Sequence, residues 1–358
     1  MTAVITDVAQ VTPAWLTNVL HASGALDRGH VTTVHARPLD IPGSSTKLHL
    51  DVQYSADTPP SLPQHLFLKL SRPDIVDILP LAGQKEVLFY TSTTTLADRE
   101  RLPIVRCYDA VYASQTRQYH ILLDDLTTSH VTMPGTIMPP LRVHCEQMVD
   151  ALAQLHAYWW DHSRLGNDLG TLPTHDSEWA YLDWATTTFA RVADLLGERL
   201  SHERRLRVEQ IFAAWPKLAE RLTKQRHLTL VLGDVHSGQF LFPRNAETHA
   251  MRIIDWDWWD ITVGPMDLAY TMCLFWFPER RARLEQDLLR RYHDRLLEYG
   301  VVGYDGQACW EDYRWAVIRS LFVPLHLWET RPWPDFWYLH WERALLAFED
   351  LGCADLLE

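Results

Sequence analysis

Two acidic residues in the second half of the chain stand where they could do chemistry. Gly233-Asp234-Val235-His236-Ser237-Gly238-Gln239 places a carboxylate and a side-chain amide on one polar loop, between the apolar runs LTLVL and FLF. Further on, Ile253-Ile254-Asp255 sets a second carboxylate at the end of another apolar run. Carboxylate and amide oxygens are suitable ligands for a hard divalent cation, and a carboxylate beside a hydroxyl can take its proton. Those are requirements of phosphoryl transfer, together with a cation on the phosphates. Singly, such acids cap turns more often than they catalyse. As a pair they favour chemistry, because two neighbouring strands of a hairpin would bring Gln239 and Asp255 to one site.

The elements that must position these residues follow from periodicity. In KLHLDVQYS the apolar residues Leu48, Leu50, Val52 and Tyr54 alternate, the period of a half-buried strand. PGSS before it is a turn cluster. QHLFLKL is a short apolar run interrupted by Lys69, consistent with a buried strand. A helix-like stretch over 80–93 carries Glu86 among Val87, Leu88 and Tyr90, and IVRCYDAVYA and YHILLDDL supply two more strands. The expected order is three strands, a helix and two strands. From residue 140 the period turns helical: Cys145, Met148, Leu152, Leu155 and Trp159 mark one face of a long helix. Similar patterns recur near 176–195, 201–224, 266–275, 279–299, 308–329 and 335–349, interrupted by the β-rich stretch 228–256. The expected fold class is α+β, with residues 1–125 mainly strand and residues 126–358 mainly helical.

Composition removes several function classes. A net charge of −13 without a basic block repels polyphosphate backbones, so no nucleic-acid partner is expected. No apolar run long enough to span a membrane occurs, and MTAVITDVAQ is no secretory signal. The 5 cysteines form no CxxC pair and suit reduced thiols in a cytoplasmic protein. The 18 histidines show neither HExxH nor cysteine partners at zinc spacing. Of 16 tryptophans, all but Trp15 lie beyond residue 158, which suits packing in a helical half.

LGDVHSGQFLF followed by IIDWDWWDITVGPMDLAY resembles the signature of the aminoglycoside phosphotransferase and choline kinase-like family, a protein-kinase-like fold. ILLDDL is similar to that family's hinge motif and ALAQLHA to its long-helix motif. The resemblance implies an enzyme that transfers a phosphoryl group to an alcohol and has two lobes: residues 1–125, a five-stranded antiparallel sheet plus helix that binds the nucleotide, and residues 126–358, a helical lobe with the catalytic loop and acceptor site. It implies Asp234 as the base, Gln239 and Asp255 as Mg2+ ligands, and Lys69, paired with Glu86, on the phosphates of ATP. Backbone groups of Asp124 and Leu126 would meet the adenine edge, Gly43, Ser44 and Ser45 would cover the phosphates, and Asp267 would anchor the catalytic loop. His156 is expected as a hydrogen-bonded core residue and His236 as a brace for the loop.

Two positions depart from the family pattern. Leu232 replaces a histidine, and Gln239 replaces an asparagine, as in bacterial maltose kinases. The alternative to an active kinase is therefore a nucleotide-binding pseudokinase of the same fold. A helical carbohydrate hydrolase with paired carboxylates leaves Lys69 and Glu86 unexplained. The acceptor remains open among amino sugars, sugars, macrolides and other antibiotics, and amino alcohols. Asp257, Trp258, Trp259 and Asp260 could face it through stacking or cation–π contact, or the tryptophans could only pack the lobe. ATP or GTP, and monomer or homodimer, also stay open.

Overall fold

The computed structural model describes residues 3–41, 43–72, 74, 83–133, 139–330 and 334–358. Pro42 of the expected turn and residues 80–82 of the expected helix lie outside them. The chain divides into two units, residues 1–131 with 241–259, and residues 132–240 with 260–358.

The first unit begins with helix α1 (Pro13–Ala22), which the strand-dominated reading of this region did not include. Its signal is local: Thr12 accepts the Trp15 N–H as N-cap, and Pro13 occupies the first helical position, where its missing N–H has no cost. Strands β1 (Val31–Leu39), β2 (Ser45–Tyr54) and β3 (His65–Ser71) follow, then helix α2 (Gln84–Thr94) and strands β4 (Cys107–Ala113) and β5 (Gln118–Asp124). The five strands form one antiparallel sheet in the order β1-β2-β3-β5-β4.

Strand alternation divides the work of this sheet. Leu48, Leu50, Val52, Leu66, Leu68 and Leu70 pack with Leu16, Val19 and Leu20 of α1 in one core. Each such burial contributes about 1.5–3 kcal/mol. The same alternation turns Lys47, His49 and Asp51 of β2, and Phe67 and Lys69 of β3, to the opposite face. Lys47 and Lys69 are direct cross-strand partners. Residues 256–258 return to α2, where Trp256 stacks on Phe89 at 3.7 Å.

The second unit is mainly helical. Its long helix Arg142–Trp159 buries Cys145, Met148, Leu152, Leu155 and Trp159, the face that periodicity marked. The stretch 201–224 is two helices, His202–Ala213 and Trp215–Thr223, because Pro216 has no N–H to continue the first. A second break separates Gly306–Ser320 from Val323–Thr330 near Pro324. Thr229–Val231 pairs antiparallel with Asp260–Thr262. The strand before the polar loop thus pairs with 260–262, while Phe240–Pro243 lies between His130–Thr132 and Arg252–Ile253 in a small three-stranded sheet. All five cysteines are buried and free. Among the described residues no helix is long and apolar enough to cross a membrane.

Candidate active site

Lys69 projects from β3 and is only 7% exposed. A buried ammonium needs compensating charge, and it has two partners. Glu86 Oε2, on the first turn of α2, lies 2.5 Å from Lys69 Nζ, and Asp255 Oδ1 lies 3.2 Å away. Asp257 adds a third carboxylate and accepts the Gly83 N–H at 2.7 Å. Gly83 has φ +74°, and a Cβ there would sit 2.2 Å from the Tyr119 ring, so this position is confined to glycine.

The electrostatics of this group are lopsided. Burial pushes the Glu86 carboxyl up to about 8, against the pull of Lys69. Burial opposes the Lys69 charge, yet Glu86, Asp255 and Asp257 together hold its pKa well above the ordinary lysine value. Burial also raises Asp257. Oxygens of Glu86, Asp255 and Asp257 all lie within 4.8 Å of one another, and Glu86 Oε1 is buried without a hydrogen-bond partner. Three carboxylates share the charge of one ammonium, and Asp255 among them is an oxygen donor suited to a hard divalent cation such as Mg2+. Asp255 itself has φ +67° and ψ +70°, a left-handed conformation that costs a non-glycine residue of order 1–3 kcal/mol.

The polar loop 232–239 belongs to the second unit. Its backbone hangs on Asp267, which is fully buried. Asp267 accepts the N–H groups of Leu232 (2.8 Å) and Gly233 (3.0 Å), and His156 Nε2 donates to it at 3.1 Å. Tyr292 donates to the other nitrogen of His156 at 2.9 Å. His156 is thus the core histidine expected of it. Asp234 is held differently: Tyr270 donates to its Oδ1 at 2.8 Å, and its side chain keeps 31% exposure. His236 accepts the Gly238 N–H on Nδ1, bracing the turn Ser237–Gln239, with Nε2 4.0 Å from Asp234 Oδ2. Gln239 is buried at the end of that turn.

The remaining expected residues fall in several places. Ser45 is buried at the start of β2, while the Gly43 carbonyl accepts from Arg72 at 3.3 Å. Asp124 gives its N–H to the Arg106 carbonyl and accepts from the Tyr108 hydroxyl. The Leu126 carbonyl accepts from Ser129 and His130. Trp259 is buried, exchanging hydrogen bonds with Lys85, whereas Trp258 is 56% exposed. Asp260 is exposed in the strand that pairs with Thr229–Val231.

The sequence profile of the ecdysteroid kinase-like family matches residues 84–300. The chain belongs to that family. The stretch that defines this ecdysteroid kinase-like chain contains Glu86, the loop from Asp234 to Gln239, Asp255 and Asp267, and begins after β3 and Lys69. Among solved structures, a choline kinase of Streptococcus pneumoniae aligns over 89% of this chain and 94% of its own, at 12% identity and a TM-score of 0.51. An ethanolamine kinase of Plasmodium vivax aligns over 89% and 81%, at 10% identity and a TM-score of 0.50. The fold of this ecdysteroid kinase-like protein is thus the two-lobed, protein-kinase-like fold of those enzymes. No curated protein sequence matches the chain significantly.

Two residues of these clusters, Lys47 and Tyr270, escaped the sequence reading. Lys47 lies opposite Lys69, and burial followed by the neighbouring Lys69 charge lowers its pKa. Its signal was the KLHLDV alternation, which places Lys47 opposite the leucine face. Tyr270 was legible as the residue one turn after Asp267 in DLAY. Asp257, named as a residue that could face the acceptor, stands with Lys69 and Glu86.

Proposed function

We propose that the chain is a phosphotransferase with an alcohol group as acceptor, moving the γ-phosphoryl group of ATP to a hydroxyl of a small molecule. The observation that carries this reading is the buried Lys69 ammonium, held between Glu86 and Asp255 with a third carboxylate beside them. An ion pair alone needs one acid. Three acids make a place where a cation and polyphosphate oxygens can share the charge.

In this reading Lys69, with Lys47 opposite it, meets the phosphates, and Gly43, Ser44 and Ser45 lie over them. Backbone groups of Asp124 and Leu126 meet the base; since the Asp124 N–H is taken by Arg106, only its carbonyl could serve. Gln239 and Asp255 hold Mg2+, which when bound offsets charge on the phosphates. Asp234 takes the proton of the acceptor hydroxyl as that oxygen bonds to the γ-phosphorus and the bond to the ADP oxygen breaks. Tyr270 fixes Oδ1 of Asp234, leaving Oδ2 for the hydroxyl. Gln239 in place of asparagine is the feature that favours a second reading, nucleotide binding without turnover.

The test is incubation with γ-labelled ATP or GTP, Mg2+ and a panel of amino sugars, sugars, macrolides and amino alcohols. A phosphorylated product supports the first reading. Nucleotide binding with no product across the panel selects the second.

A further inference from the structure

Four residues away from Lys69, along the same sheet face, two imidazoles converge on one carboxylate oxygen. His49 Nε2 and His65 Nδ1 each lie 2.9 Å from Asp51 Oδ1. The three donor atoms all fall within 4.8 Å of one another, and the rings stand 5.1 Å apart. The opposite nitrogen of His49, Nδ1, lies 2.5 Å from Asp125 Oδ2, and the Asp125 side chain is 1% exposed. Oδ1 of Asp125 is itself held by the Thr127 N–H at 2.9 Å and the Thr127 hydroxyl at 2.6 Å. A buried carboxylate on Nδ1 fixes the ring so that Nε2 faces Asp51. With a proton on Nε2 the contact is a hydrogen bond at 2.9 Å, and a cation that displaces that proton would meet the same two atoms.

We propose that His49 Nε2, Asp51 Oδ1 and His65 Nδ1 form a binding site for a divalent transition metal of the Zn2+ or Co2+ kind. Two imidazoles and one carboxylate select such ions over Mg2+. Bonds of about 2.0 Å at tetrahedral angles separate ligand atoms by about 3.3 Å, so the two N···O spacings of 2.9 Å need a small expansion, and the two nitrogens start within 4.8 Å of each other. Asp125 supplies the carboxylate that orients a ligating histidine from behind. Arg37 holds the other Asp51 oxygen at 3.0–3.1 Å, leaving Oδ1 to the metal. His65 is 45% exposed, which leaves an open side where water completes the coordination. The site is separate from the carboxylates around Lys69 and uses nitrogen donors that they lack.

Titration of the whole protein with Co2+, in excess Mg2+ to occupy the all-oxygen carboxylate cluster, tests the assignment by visible absorption. One Co2+ per chain with the band of a four- or five-coordinate ion is expected, retained in Asp255→Asn. Asp125→Asn should weaken binding about 10–100-fold, and the exposed His65→Ala at least as much. No bound Co2+ in the wild type, or affinity unchanged in a folded His65→Ala variant, overturns the proposal. An adverse effect of Asp255→Asn equal to that of His65→Ala also overturns it, since the ion would then sit at the other cluster.

Discussion

The Tyr270 hydroxyl donates to Oδ1 of Asp234 across 2.8 Å. Tyr270 opens a π-helical turn over Tyr270–Leu274, directly after the helix that carries Asp267. Such widened turns collect at functional sites, and this one couples the residue that anchors the loop to the residue that aims its acid. A hydrogen bond to a charged acceptor contributes about 1.5–3 kcal/mol. Tyr270→Phe should therefore lower kcat by roughly 10–100-fold and leave the nucleotide dissociation constant unchanged. Steady-state kinetics beside nucleotide titration separates the two effects, and an unchanged kcat would remove Tyr270 from the mechanism.

Lys69→Ala leaves Glu86, Asp255 and Asp257 without their shared cation. Nucleotide affinity should fall by about tenfold or more, the loss of a charge-assisted contact. Calorimetric titration with a non-hydrolysable ATP analogue measures it. Equal affinity in wild type and variant would place the phosphates elsewhere.

Glu86 gives a pH signature. Its carboxyl is pushed up to about 8 by burial, above its value in the unfolded chain, about 4.3. The folded state therefore binds the proton more tightly, and the stabilising effect of that protonation is lost as pH rises through this window. Glu86→Gln cannot lose it. Relative to wild type, the variant should gain stability between pH 5 and 8, as read from urea midpoints. A stability difference that stays flat across that range would show Glu86 ionised throughout.

Asp267→Ala removes the acceptor of two backbone N–H groups and of His156. Each orphaned donor costs about 1–3 kcal/mol, so a loss of roughly 3 kcal/mol or more is expected from denaturant unfolding. Asp267→Asn keeps one acceptor oxygen and should lose less. Equal losses in the two variants would argue against a hydrogen-bonding role.

Strands β2 to β5 and the helical second half were legible because strand alternation and helical period are written in apolar spacing, whereas β1 was not picked out from its residues. Leu48, Leu50 and Val52 carried the first signal, and Cys145, Met148 and Leu152 the second. Lys69 could be named because a charge that interrupts an apolar run needs a reason to be there, whereas Glu86 and Asp267 were named through the family resemblance. What escaped depends on partners remote in the chain. Lys47 matters because β2 registers it against Lys69. The helix breaks at Pro216 and Pro324 were visible in the sequence, but the apolar period running through both masked them.

The most direct test compares wild type with Asp234→Asn for transfer of label from ATP to an accepted hydroxyl, together with nucleotide binding by both. The account predicts turnover lower by about two to four orders of magnitude in the variant, with ATP affinity nearly intact. Equal turnover in the two proteins would contradict it.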